Sequence, residues 1–153
     1  VSRIVILGST GQLGGDLVDA FAGDDVAALD HDQVEIGDAA SVRTALDELH
    51  PAVVINTAAY HNVPLCETRP VEAFALNAIA PLTLARYCTE VGARLVHVST
   101  DYVFDGAKAA PYVEADRPNP LSVYAVSKLA GEYAVLNTGD THQVVRSSGL
   151  YGI

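Results

Sequence analysis

Tyr124 and Lys128 stand four residues apart, the spacing that puts two side chains on one face of a helix. A phenol with an ordinary pKa near ~10 is a weak acid at neutral pH. An ammonium beside it favours the phenolate and brings the group towards working pH. Thr100 lies upstream, just past an apolar run, where its hydroxyl can hydrogen-bond an oxygen held against the phenol. Further upstream, Gly8, Gly11 and Gly14 recur between an apolar run and an amphipathic stretch. Glycines there allow a tight turn and let backbone approach a pyrophosphate at a helix N-terminus. Each feature alone arises by chance; glycine triplets often mark ordinary turns. In this order they describe redox chemistry with a nicotinamide dinucleotide. Hydride adds to a carbonyl, Tyr124 protonates the resulting alkoxide, Thr100 holds that oxygen, and Lys128 also binds nicotinamide-ribose hydroxyls.

Other residues have two readings each. Asp30, 19 residues after Gly11, suits the adenosine ribose hydroxyls and would repel a 2′-phosphate, or is a surface turn residue with Asp32 as competitor. Asp38 is a helix cap or an adenine contact. Asn56-Thr-Ala-Ala-Tyr60 has small residues that let backbone come close to a dinucleotide, or that simply pack tightly.

These residues need a scaffold that brings strand ends and helix starts together. Short β-branched runs at 3–7, 26–29, 53–55, 95–98 and 143–146 read as strands. Helices are expected over 11–22, 39–50 after the Asp38 cap, from near Pro70 to Val91 with a kink at Pro81, and over 121–136. Residues 101–120 read as a long, functional loop. The alternation implies an α/β fold, a doubly wound parallel sheet of Rossmann type with helices on both faces and the crevice at the strands' carboxyl ends.

With 19 acidic and 9 basic residues and a net charge of -10, the chain argues against nucleic acid as a partner. Half its residues are apolar, yet no apolar run reaches the ~20 residues that span a bilayer, so no membrane role is expected. Cys66 and Cys88 are expected to be reduced and partly buried, as in a cytoplasmic protein, and the five histidines show no zinc spacing. The chain begins at Val1 without methionine and stops at Gly149-Leu-Tyr-Gly-Ile153, straight after a strand. The expectation is one domain, 1–153, from a longer protein.

GxxGxxG, a Thr after the fourth strand and YxxxK together resemble the extended short-chain dehydrogenase/reductases. Ser99-Thr-Asp-Tyr-Val-Phe-Asp-Gly106, Pro111-Tyr112 with Glu114, and Pro118-x-Pro120-Leu-x-x-Tyr124-x-x-x-Lys-Leu-Ala-Gly-Glu132 resemble the dTDP-4-dehydrorhamnose reductase family more closely. So do Gly8-x-Thr-Gly-Gln-Leu-Gly14, Asn56-Thr-Ala-Ala59 and Asn77. The resemblance implies NADH- or NADPH-dependent reduction of the 4-keto group of a dTDP-4-dehydro-6-deoxy sugar. It maps the catalytic trio onto Thr100, Tyr124 and Lys128. Cofactor contacts map onto Gly8, Thr10, Gly11, Gln12, Leu13, Gly14, Asp30, His31, Asp38, Ala39, Thr57, Ala58, Ala59 and Tyr60, with Tyr124 and Lys128. The partner it implies is a sugar nucleotide, with a homodimer as one assembly. Some members bind a metal at a dimer interface through a glutamate in the first helix; Asp16 stands there, so Mg2+ stays open without being supported. His61-Asn-Val63-Pro64-Leu-Cys-Glu67 departs from the family's Thr-x-Val-Asp-x-x-Glu, with proline in place of aspartate. The substrate-shaping second half is expected to lie outside these residues. Two other readings remain: another sugar-nucleotide epimerase or dehydratase, or a dinucleotide-binding regulatory subunit like that of methionine adenosyltransferase. The intact Thr100–Tyr124–Lys128 set favours catalysis over the last.

Overall fold

Four-residue strands of Ile, Val, Leu and Ala have no polar face, so the sheet they form must be covered on both sides. The computed structural model describes residues 2–151; Val1, Gly152 and Ile153, which include the end of the terminal run noted above, lie outside the described residues. Five strands, β1 (Ile4–Leu7), β2 (Val26–Leu29), β3 (Val53–Asn56), β4 (Arg94–Thr100) and β5 (Gln143–Ser147), form one sheet in the order β2-β1-β3-β4-β5. Every neighbouring pair is parallel. The order reverses between β1 and β3, which sets a crevice at their carboxyl ends. The expected doubly wound α/β architecture is therefore present.

The helices are α1 (Gln12–Ala20), α2 (Ala39–Asp47), α3 (Val63–Thr68), α4 (Pro70–Phe74), α5 (Ala80–Val91) and α6 (Val123–Leu136). Right-handed crossovers put α1 on one face and α2, α5 and α6 on the other. Val5, Leu7, Val54 and Leu95 from the sheet pack there with Val42, Leu46, Leu84 and Val135 from the helices, forming the main core.

Three expectations change. The helix expected from Pro70 to Val91 runs without a gap but contains a π-helical turn, Ala75–Ile79, between α4 and α5. Pro81 lies inside that continuous helical run, directly after the π-turn, where the regular α-helical bonding has already changed. α3 was not expected, because its six residues carry little periodic signal. Asn62 caps it by accepting from Leu65 N–H, and Pro64 occupies its first turn, so proline at the departure from the family pattern suits the local backbone. The 101–120 segment is a loop only in part. It opens with a 3-10 turn, Asp101–Val103, and Asp105 ties it together through Ala107 N–H, the Tyr112 hydroxyl and Asn119 Nδ2. Cys66 and Cys88 are buried free thiols. Among the described residues no helix is long and apolar enough to cross a membrane.

Candidate active site

The glycine turn is held by contacts that only glycine permits. Gly8 has φ +82, and its N–H and that of Ser9 both donate to Leu29 O at the end of β2. A Cβ on Gly14 would stand 2.1 Å from Gly8 O, so α1 can seat on the turn only with glycine there. Gly11 is the N-cap of α1 and offers no side-chain cap. The first N–H groups of this nine-residue helix, with the positive end of its dipole, thus open onto the crevice and fit an anionic pyrophosphate. Thr57 closes the other side. Its hydroxyl donates to Leu7 O at 2.8 Å, tying the end of β3 to the turn.

Tyr124, Ser127, Lys128, Gly131 and Glu132 share the inward face of α6, which Ser122 caps through Ala125 N–H. Glu67 of α3 reinforces that start by accepting Val123 N–H at 2.8 Å. Thr100 ends β4, and its hydroxyl accepts Tyr102 N–H at 3.2 Å. The Tyr102 ring stands edge-on to Tyr124 with centroids 5.9 Å apart. Burial pushes the Tyr124 phenol above its ordinary value, while hydrogen bonding with Thr100 pulls it down. Lys128 is 2% exposed and donates to Val98 O at 2.7 Å. Burial lowers its ammonium to about 8, against a raising pull from Glu132. The sequence suggested that Lys128 would draw the phenol towards working pH. Here the ammonium is turned onto Val98 O and burial dominates at Tyr124. The phenol stays protonated, the form that an acid needs.

A buried polar brace joins this helix to the strand ends. Asn77, in the π-turn, accepts Tyr60 N–H at 2.8 Å and donates to Tyr60 O at 3.0 Å. Its Nδ2 also donates to Ser127 Oγ at 3.0 Å, and Ser127 donates to Tyr124 O at 2.8 Å. Gly131 lets α6 come this close, since a Cβ there would stand 2.1 Å from Asn77 O. One turn on, Glu132 is buried between Ser99 Oγ at 2.5 Å and a two-pronged Arg146. Sequence reasoning missed Ser127, Glu132 and Glu67 as parts of the site. Their partners lie 14 to 56 residues away, so no local spacing announces them.

A cleft of about 510 Å³ brings together Gly11, Gln12, Leu13, Gly14, Thr57, Ala59, Thr100, Tyr124 and Lys128. Gly8, Thr10, Ala58 and Tyr60 flank it without lining it. Asp30, His31, Asp38 and Ala39 lie outside it, beyond the end of β2. Asp30 Oδ1 accepts Asp32 N–H and Gln33 N–H, which makes the turn, while Oδ2 has no hydrogen-bond partner among the described residues. His31 is exposed beside Glu35. Asp38 caps α2 by accepting Ala40 N–H. Among the described residues no three His, Cys, Asp or Glu side chains are grouped to hold a metal ion, Asp16 included.

Residues 2–153 match the family model described as "RmlD substrate binding domain". The dTDP-4-dehydrorhamnose reductase of Mycobacterium tuberculosis is 47% identical over 97% of this chain and 50% of its own length. The crystal structure of a dTDP-4-dehydrorhamnose reductase from Clostridium acetobutylicum superposes with a TM-score of 0.94 at 39% identity, covering 98% of this chain and 54% of that one. The Bacillus anthracis enzyme of the same name, solved in complex with NADP, gives 0.94 at 35% identity over 98% and 54%. The chain spans about half the length of the curated relatives it matches. By the match along nearly all its residues, the chain belongs to the RmlD substrate binding domain family.

Proposed function

We propose that residues 1–153 are the NAD(P)-binding, proton-donating part of a reductase that converts the 4-keto group of a dTDP-4-dehydro-6-deoxy sugar to an alcohol, forming dTDP-L-rhamnose. The observation that carries this is one cleft lined by the open start of α1 on one side and by Thr100, Tyr124 and Lys128 on the other. The names of the relatives and the NADP in the Bacillus anthracis structure support it. NADH or NADPH, when bound, supplies the hydride that adds to C4 of the sugar. The backbone N–H groups of Gln12 and Leu13 receive the pyrophosphate. Asp30 Oδ2 accepts from adenosine ribose hydroxyls, and no Lys or Arg in residues 24–42 favours a 2′-phosphate, so NADH is tolerated. Lys128 keeps one N–H on Val98 O and turns the others to the nicotinamide ribose. Thr100 holds the carbonyl oxygen, and Tyr124 gives it the phenolic proton as the C–O π bond opens. The sugar-nucleotide pocket is completed by a second half of the protein, so this part alone binds dinucleotide and turns over poorly. The protein then works in the cytoplasm, where thiols such as Cys66 and Cys88 stay reduced.

Turnover of a dTDP-4-keto-6-deoxy sugar with NADH and NADPH by the complete protein tests this. Oxidation of the dinucleotide with formation of the 4-hydroxy sugar is expected. Tight dinucleotide binding without turnover would point instead to a regulatory binding subunit.

A further inference from the structure

His97 lies mid-way along β4 on the face that also carries Ser99, and its side chain is fully buried. Asn56, also fully buried, is its partner across the β3–β4 pairing. Their hydrogen bonds fix the protonation. Ala58 N–H can only donate, so the Asn56 atom that receives it at 3.1 Å is Oδ1. Asn56 Nδ2 therefore faces His97 Nδ1 at 3.2 Å. Since Nδ2 can only donate, Nδ1 holds its lone pair, and the neutral ring carries its proton on Nε2. A proton on Nδ1 would set two donors face to face. Burial and the charge of Lys128 hold the ring far below its ordinary value, at about 3, so it stays neutral. Nε2 is buried with no hydrogen-bond partner among the described residues. A leucine at this position would remove the unpaired Nε2–H but leave Asn56 Nδ2 without its acceptor. What the histidine provides, with an unpaired Nε2–H as its cost, is the acceptor at Nδ1.

That acceptor governs the segment next to the dinucleotide side of the cleft. With Nδ2 engaged by His97, Asn56 Oδ1 is aimed at Ala58 N–H, between Thr57 and Ala59, which line the cleft. Asn77 grips Tyr60 at the far end. We propose that His97 is a positioning residue for dinucleotide binding: its Nδ1 sets the orientation of the Asn56 amide, and through it the backbone of Thr57–Tyr60. This rests on the dinucleotide reading of the cleft given above.

The test is calorimetric titration of NADH and NADPH into the complete protein, with melting temperatures measured alongside. His97→Leu removes the acceptor and fills the space. It should weaken dinucleotide binding about fivefold to tenfold and, because Asn56 Nδ2 is left buried without an acceptor, lower the melting temperature as well. His97→Asn leaves an oxygen near the place of Nδ1 but a smaller side chain. It should melt lower yet bind within about twofold of wild type. Both variants thus melt lower, but only the one without an acceptor loses affinity, a split that a purely structural role would not produce. Asn56→Ala breaks the same link from its other end and should match His97→Leu in affinity, with no further loss in the double variant. The 15N signature of the ring should be that of a neutral Nε2–H tautomer at pH 6. Unchanged affinity in a folded His97→Leu or Asn56→Ala protein would overturn the proposal, as would a loss in His97→Asn equal to that in His97→Leu or a proton on Nδ1. Wild-type protein that binds neither dinucleotide would instead remove the reading of the cleft itself.

Discussion

The glycine turn and the inward face of α6 meet in one cleft, but they are held by opposite means. The turn is built from backbone. Its position depends on a positive φ at Gly8 and on the absence of a Cβ at Gly14. The face of α6 is built from side chains. Ser127, Lys128 and Glu132 are buried polar groups, each satisfied by a partner on a different element. A turn of the first kind resists change through sterics. A face of the second kind is a network, in which losing one member leaves another unpaired.

Substitutions should separate the two. Lys128→Met is expected to have the largest effect, since it removes the ammonium proposed to hold the nicotinamide ribose and leaves Val98 O without its donor. It should lower kcat by about 10²–10⁴-fold and weaken dinucleotide binding as well, read from steady-state rates and calorimetry. On the other side of the cleft, Gly14→Ala should cost roughly 1–3 kcal/mol in denaturant unfolding, because its Cβ would press on Gly8 O. Gly11→Ala meets the same oxygen at 3.3 Å, so it should fold nearly normally and lose dinucleotide affinity instead. Equal behaviour of the two would break the steric account of the turn.

That contrast also explains what the sequence made legible. Gly8, Gly11 and Gly14 were readable because sterics act locally, and Tyr124 with Lys128 because helical spacing does. Asp38 was readable as a cap for the same reason. The brace was not, because Ser127 and Asn77 stand 50 residues apart and neither looks unusual alone. His97 passed as one scattered histidine, since its meaning comes from the β3–β4 register that sets it opposite Asn56. The π-turn escaped because Ala75–Ile79 reads as ordinary helix.

Smaller effects sharpen the network side. Ser127→Ala removes one acceptor from Asn77, which keeps Tyr60 O, so the loss of stability should be only ~1 kcal/mol. The charge of Lys128 adds a pH dependence. Its folded pKa of about 8 lies below the ordinary lysine value of 10.5, so the unfolded chain holds that proton to higher pH. Its contribution to stability is therefore fully present above the unfolded value and is lost as pH falls through about 8. Stability should rise between about pH 8 and 10, while kcat/KM falls on its alkaline side near pH 8 as the ammonium discharges. Lys128→Met should flatten that rise in an unfolding titration.

Tyr124→Phe tests the division of labour most directly, because it deletes one oxygen and leaves the turn, Thr100 and Lys128 in place. Dinucleotide affinity and kcat on a dTDP-4-keto-6-deoxy sugar should be measured on the same preparation of the complete protein. The expected result is wild-type affinity with kcat down by about 10²–10⁴-fold, the usual worth of a positioned acid. A kcat near that of the wild type would contradict the account, since the proton would then come from a group other than Tyr124.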